Sequence, residues 1–252
     1  MSITADLVKE LESISDPGDL LLKLHKRYGN RMAIATSGQP TDTAIIALAV
    51  KAGVKKPYVY TTDTLRLFSE TYAYYKTLEK RFKIKIERIK PPEKELNRML
   101  EQHGEFLFFD SREKQEYCCH VRKVLPNQKV LDSLDVWVTG LRRDQSASRA
   151  DAPRLEVIPH HQSGGGLRPI LKVNPLVDWT ESRVNDFLKA HRIPNHPLIE
   201  KKLPGGWRYE SLGCILCTTP IKPGERPRAG RWRWFNAADD KKECGLHLPS
   251  ST

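Results

Sequence analysis

No apolar run in the 252-residue chain approaches the roughly 18 to 20 residues that a membrane-crossing helix needs, which excludes a helical span. Residues 1–9 lack the basic-then-apolar pattern of a secretory leader, so the expected location is cytoplasmic, with no membrane partner. There is no internal repeat, no low-complexity segment and no Gly-Lys-Thr or Gly-Lys-Ser of a Walker A loop. Cysteine is scarce: five residues, an odd number, which argues against a disulfide framework and for metal or thiol chemistry. Lys and Arg total 42 against 31 Asp and Glu, a formal net charge of +11, yet no basic block dominates. A spread of that kind suits an enzyme for an anionic metabolite better than a nucleic-acid binder, so no nucleic-acid partner is expected.

What is present is a globular composition, 39% hydrophobic and 29% charged, in a chain long enough for one to two domains with a full core. Apolar residues at helical spacing (Leu7, Leu11, Ile14, then Leu20, Leu21, Leu24) predict two helices within residues 1–30, broken at Asp16-Pro17-Gly18. Short β-rich runs follow at 32–35, 58–60, 84–89 and 136–139, separated by helical segments at 41–51, 68–82, 93–101 and 114–130. Strands alternating with helices of that length predict a doubly wound α/β domain with a mostly parallel sheet, its core ending near Val177. A further helix is expected at 179–191, capped by Asp178 or Thr180, and Ser163-Gly164-Gly165-Gly166 reads as a flexible loop. Three prolines (Pro220, Pro223, Pro227) and two glycines between Thr218 and Arg231 predict a loop or mobile arm. The expected division is residues 1–217 as an α/β body and 218–252 as a mobile C-terminal arm.

Three groups of residues carry chemistry. Residues 36–43 (TSGQPTDT) lie between an apolar strand and a helix, where backbone amides and the helix dipole favour an anion, although such a turn can also be a plain connection. Cys118 and Cys119 are adjacent, and Cys214 and Cys217 form a C-x-x-C; two thiolate pairs match an iron-sulfur cluster or a structural zinc, and adjacent ligands lean towards iron-sulfur. Cys244 stands alone beside His247 in a basic chain, a setting that can lower a thiol pKa and make a nucleophile. Lys123, Arg142, Arg143, Arg228 and Arg231 supply cations suited to phosphate or sulfate oxygens, two of them after a strand end.

The segments CCHVRKVLP, VWVTGLRRDQSASRA, KVNPLVDWT, GCILCT, RAGRWRW and ECGLH, in that order, resemble the cluster-bearing assimilatory sulfonucleotide reductases, over about residues 32–247. The resemblance implies an adenine nucleotide alpha-hydrolase-like (N-type ATP pyrophosphatase-like) fold and a 4Fe-4S cluster on Cys118, Cys119, Cys214 and Cys217. It implies Cys244 as the nucleophile that forms an S-sulfo intermediate, with His247 in the site. The loop carrying Ser37, Gly38 and Asp42 would hold the nucleotide, and Asp63, Thr64 and Leu67 would lie along the adenosine. Lys123, Arg143, Arg228, Arg231 and His247 match family positions that contact the phosphosulfate or line the site, His247 being counted with Cys244 as catalytic and Arg142 with the substrate-binding residues. The implied reaction is reduction of adenosine 5'-phosphosulfate to sulfite and AMP, with thioredoxin or glutaredoxin as thiol donor, in sulfate assimilation and cysteine biosynthesis. Reduction of the 3'-phosphorylated nucleotide is the alternative, and a homo-oligomer is compatible with the family. Two departures touch the nucleotide site: Gln39-Pro40-Thr41 precede Asp42, one residue longer and one carboxylate short of the usual pattern, and Leu65 stands where a glycine is usual. A more distant reading is a zinc-stabilised RNA-binding or tRNA-modifying protein, in which Trp207, Trp232 and Trp234 would stack exposed bases.

Overall fold

The computed structural model describes residues 3–235; Cys244, His247 and the remainder of the expected arm lie outside the described residues. Helix α1 (Ala5–Glu12) is capped by Thr4, and α2 (Pro17–Tyr28) by Asp16, whose carboxylate accepts from the Asp19 amide at 2.9 Å. The expected break at Asp16-Pro17-Gly18 is thus the start of α2, because proline at the first helical position gives up an amide that has no intrahelical partner.

Strands β1 (Met32–Ala35), β2 (Tyr58–Thr62) and β3 (Ile86–Ile89) alternate with α3 (Pro40–Lys51) and α4 (Ser69–Phe82), and α5 (Glu93–His103) follows. Then come α6 (Arg112–Cys119), a π-helical turn (His120–Val124), α7 (Leu125–Leu131) and β4 (Val136–Val138). A hairpin of β5 (Leu155–His161) and β6 (Leu167–Val173) leads to α8 (Glu181–Ala190) and the short α9 (Pro197–Glu200).

The six strands form one sheet in the order β3-β2-β1-β4-β6-β5, parallel except for β5, which pairs antiparallel with β6 at the edge. Period-2 alternation buries both faces. Met32, Ile34, Val59, Val136, Val138, Leu171 and Val173 face one layer with Leu11, Leu21, Ile45 and Leu188, whereas Ala33, Tyr60, Trp137 and Ile170 face the other with Val130 and Leu131. Each such side chain contributes about 1.5 to 3 kcal/mol on full burial, so the N-terminal helices are built into the core. The architecture is the doubly wound, mostly parallel sheet expected.

The β5–β6 hairpin is the element the sequence pattern did not show. Pro159 and Pro169 interrupt its runs, and they sit opposite each other in the register, Pro159 on the edge strand and Pro169 before the segment of β6 that pairs with β4. Ser163 to Gly166 is its turn, with Gly165 and Gly166 at φ of +86° and +95°. The expected single helix over 114–130 is divided by the π turn. Pro126 has no amide to return to the carbonyl four residues back, and the ladder rearranges there.

Residues 218–235, the expected beginning of the arm, are tied to the body. Isolated bridges join Arg208 to Ile221 and Thr218 to Arg231, and Ile221 and Trp232 are buried.

Candidate active site

A cleft of about 230 Å3 opens beyond the carboxyl ends of β1 and β4, where the strand order reverses and α/β sheets bind their ligands. Its floor is the turn from β1 into α3. The Asp42 carboxylate folds back to accept from both the amide and the hydroxyl of Ser37, each at 2.6 Å. Burial pushes Asp42 above the usual carboxylate range, against those two bonds and the charges of Arg142 and Arg149. Gly38 has φ of +73° and donates its amide to Thr36 Oγ1, and a β-carbon there would press on the Tyr75 ring. Gly140, after β4, leaves room for the Asp42 carboxylate that a methyl group would overlap. The turn is therefore held open at the first amides of α3, where no side chain caps the helix.

The walls come from other strand ends. Thr64 and Leu67 line the cleft, as do Tyr60, Asn127 and Trp137, which carry no sequence signal of a site. Tyr60 donates to Asn127 Oδ1 at 2.7 Å, a bond that locks both side chains below the cleft floor. Gln39 Oε1 accepts from the Leu212 amide at 3.2 Å, so the first residue of the departing Gln39-Pro40-Thr41 run ties the loop to Leu212. Thr71, also on the wall, bonds to buried His196 at 3.0 Å. His196 Nδ1 accepts from the Leu198 amide, and burial lowers its pKa to about 4.

The arginines converge from two segments, and Lys123 joins them from a third. Arg142 donates to Thr41 and Asp144, and Arg228 and Arg231 enter from the segment after the second cysteine pair. Arg231 is 4% exposed, its guanidinium lies against Gly213 where any side chain would collide, and its Nε has no hydrogen-bond partner. A buried arginine donor left unmatched costs about 1 to 3 kcal/mol or more, so the position suits an anion that enters the cleft.

Behind the cleft lies a second cavity lined by Cys118, Cys119, Cys214 and Cys217, all buried and unbridged. Helix α6 and the π turn deliver the adjacent pair together with Arg122 and Lys123, and a 3-10 turn (Ile215–Cys217) delivers the other. Lys123, 9% exposed, lines both cavities. Burial pushes the Cys118 thiol up and the Cys217 thiol to about 11. Among the described residues no three His, Cys, Asp or Glu stand close enough to hold a single metal ion. The four thiols nevertheless line one common cavity. The tryptophans of the RNA reading are engaged elsewhere: Trp232 is buried, Trp234 packs on Phe108 and Phe109, and Lys222 covers Trp207.

Of the expected substrate residues, Ser37, Asp42, Thr64, Leu67, Lys123, Arg142, Arg228 and Arg231 line one cleft. Gly38, Asp63 and Arg143 do not. Asp63 caps its own turn, accepting from the Leu65 amide at 3.0 Å and the Tyr72 hydroxyl at 2.6 Å. Arg143 pairs with Asp178 and donates to the Ala152 carbonyl at 3.0 Å, because the 3-10 turn after Arg142 directs it away. Thr180 caps α8, accepting from the Arg183 amide at 3.2 Å.

The family model described as the phosphoadenosine phosphosulfate reductase domain matches residues 31–220, which includes the β1–α3 turn, Lys123 and both cysteine pairs. The chain belongs to that family. It is 34% identical over 251 residues to an adenosine 5'-phosphosulfate reductase of Burkholderia cepacia, a match covering 100% of this chain and 92% of the relative. The phosphoadenylyl-sulfate reductase of Candida auris, solved as a phosphate complex, superposes with a TM-score of 0.62 at 21% identity, covering 88% of this chain and 99% of that one. The FMN adenylyltransferase of Candida glabrata superposes with a TM-score of 0.53 at 12% identity, covering 87% of this chain and 68% of that one. Those structures share the adenine nucleotide alpha-hydrolase-like fold with this sulfonucleotide reductase family member. No helix among the described residues is long and apolar enough to cross a membrane.

Proposed function

We propose that this chain reduces adenosine 5'-phosphosulfate to sulfite and AMP, using Cys244 as nucleophile and a thioredoxin-type dithiol as reductant, as part of sulfate assimilation. The observation that carries this reading is the buried Arg231 guanidinium with its unmatched Nε, in a cleft that also receives Lys123 and Arg228.

The sulfur of a sulfuryl group is shielded by oxygens that repel an incoming thiolate, so attack requires cations fixed where that charge accumulates. Lys123, Arg228 and Arg231 would hold the sulfate oxygens, and the amides and hydroxyl of the Ser37–Asp42 turn would hold the nucleotide phosphate. The Cys244 thiolate forms a bond to the sulfate sulfur, the bond from that sulfur to the phosphate oxygen breaks, and AMP leaves with the electron pair. A reductant thiolate then attacks Cys244 Sγ and releases sulfite with the bonding pair. The resulting mixed disulfide is resolved by the carrier's second thiol, which becomes oxidised with the first.

Cys118, Cys119, Cys214 and Cys217 would hold a 4Fe-4S cluster, a donor set of four thiolates around one shared space. When bound, such a cluster would supply local structure and a field beside Lys123. Arg122, whose Nη1 donates to the Thr64 carbonyl at 2.8 Å, and Gln115, whose amide reaches Cys119 Sγ at 3.4 Å, fix the cysteine walls from behind. Sulfite release from adenosine 5'-phosphosulfate and from its 3'-phosphorylated form, each with thioredoxin, tests the substrate. At least tenfold faster release from the former is expected, and comparable rates would contradict the choice.

A further inference from the structure

The two arginines of the sulfate end, Arg228 and Arg231, sit in a segment with no regular secondary structure. Pro223, Gly224 (φ +82°) and Pro227 leave it no helical or strand ladder to hold them in place. A disordered loop of this length would lose much of its anion affinity to the cost of ordering it, about 1 to 2 kcal/mol per residue fixed. Something must set its shape beforehand.

A four-bond knot closes it. Arg233 donates Nη1 to Glu225 Oε1 at 2.8 Å and Nη2 to Glu225 Oε2 at 2.9 Å, a bidentate fork, while its Nε reaches Thr219 Oγ1 at 3.0 Å and Nη2 the Pro220 carbonyl at 2.9 Å. Glu225 Oε2 also accepts from the Lys222 amide at 2.7 Å, which fixes the turn that reverses the chain. The Thr219 amide donates to the Gly230 carbonyl at 2.9 Å, and at Gly230 any side chain would collide with the Thr219 carbonyl. Arg228 and Arg231 lie between the two partners of the fork, and neither partner lines the cleft. Arg233 and the Lys222 amide hold Glu225 down at about 2, so the fork stays charged at any pH at which a thiolate is available.

We propose that Glu225 and Arg233 are positioning residues that hold Arg228 and Arg231 in register for the sulfate end of the nucleotide, so that this fork sets sulfate-end affinity without touching substrate. The proposal rests on the reading of the cleft as a sulfonucleotide site. It separates two ligands that share the adenosine phosphate: AMP, which stops there, and ADP, whose second phosphate stands in for sulfate.

The test is titration calorimetry of AMP and ADP with the full-length, cluster-loaded protein and its Glu225→Gln variant. The expected result is an ADP affinity weakened about tenfold, the loss of one charge-assisted anchor, with AMP affinity changed less than about twofold. Glu225→Asp, which keeps an accepting carboxylate, is expected to weaken ADP affinity by less than about threefold. Equal weakening of both ligands, or no weakening of either, would overturn the proposal. If Glu225→Gln does not fold, Arg233→Lys, which keeps the charge but loses the fork, carries the same comparison. Failure of the underlying reading would look different: the unsubstituted protein would bind neither nucleotide.

Discussion

The nucleotide cleft and the cysteine chamber share Lys123 as a wall, yet they are held together in opposite ways. Along its turn and walls the cleft pairs its own groups. Asp42 is matched to Ser37, Tyr60 to Asn127, Arg142 to Thr41 and Asp144, Thr71 to His196. The chamber side does not, since Arg122 Nε and Trp232 Nε1 are buried without partners and the thiols of Cys118 and Cys217 are held up by burial, while on the cleft lining Arg231 Nε is left unmatched at the end where the cations gather. A site that pairs its own groups is preorganised for a ligand that comes and goes, whereas a wall of unmatched donors and thiols suits a resident group. On the function proposed above, turnover would lie on the cleft side of Lys123 and a structural group on the other.

Breaking the chamber should have the largest effect. Cys214→Ser is expected to lose iron and acid-labile sulfide together and to lower sulfite release by at least about 1,000-fold, since the proposed four-thiolate ligation would hold the whole wall. Full activity with full iron content would remove the chamber from the account. Lys123→Ala, on the shared wall, is expected to keep its iron but lose about 100- to 1,000-fold in kcat/KM, the usual loss for a fixed cation at developing charge. Loss of iron in that variant would move Lys123 to the chamber side of the comparison.

The remaining two act on the cleft alone. His196 is neutral when folded, and its pKa of about 4 lies below the ordinary 6.5 of the unfolded chain. Its contribution is complete above pH 6.5 and is lost as the pH falls towards 4, because only the unfolded chain takes up the proton. The loss amounts to about 3 kcal/mol across that window. Urea melts at pH 7 and pH 4.5 should show that difference flattened in His196→Gln, and an unflattened profile would place the proton elsewhere. Asp42→Ala is expected to raise KM about tenfold with iron retained, by leaving the Ser37 amide and hydroxyl to relax. An unchanged KM would mean that the turn holds its shape without the carboxylate.

Legibility in the sequence followed the range of the interactions. Strand β1 and the turn after it were readable because four apolar residues, a small-residue turn and the helical composition that follows are local signals, although α3 starts at Pro40, one residue before the expected 41. The two cysteine pairs were readable as chemistry from their spacing, but the space they surround depends on the π turn, which a continuous helical pattern over 114–130 concealed. The β5–β6 hairpin was hidden by prolines that are harmless only because of where the strands pair. Arg142 and Arg143 are equivalent on paper. One 3-10 turn sends the first into the cleft and the second to Asp178, which sequence order does not encode. Leu65 departs from a glycine position at φ of +60° and remains exposed, so the left-handed turn is kept with a side chain that meets no wall. Tyr60, Asn127 and Trp137 resemble core residues in pattern and become cleft residues only through the sheet.

The central claim is that a sulfonucleotide transfers its sulfuryl group to Cys244, and mass spectrometry of the protein after one turnover without reductant tests it most directly. The account expects the mass to rise by one SO3 group localised to Cys244, with one AMP released per chain, and thioredoxin to discharge the adduct as sulfite. An unmodified Cys244 alongside stoichiometric AMP, or an adduct that persists in Cys244→Ser, would contradict it.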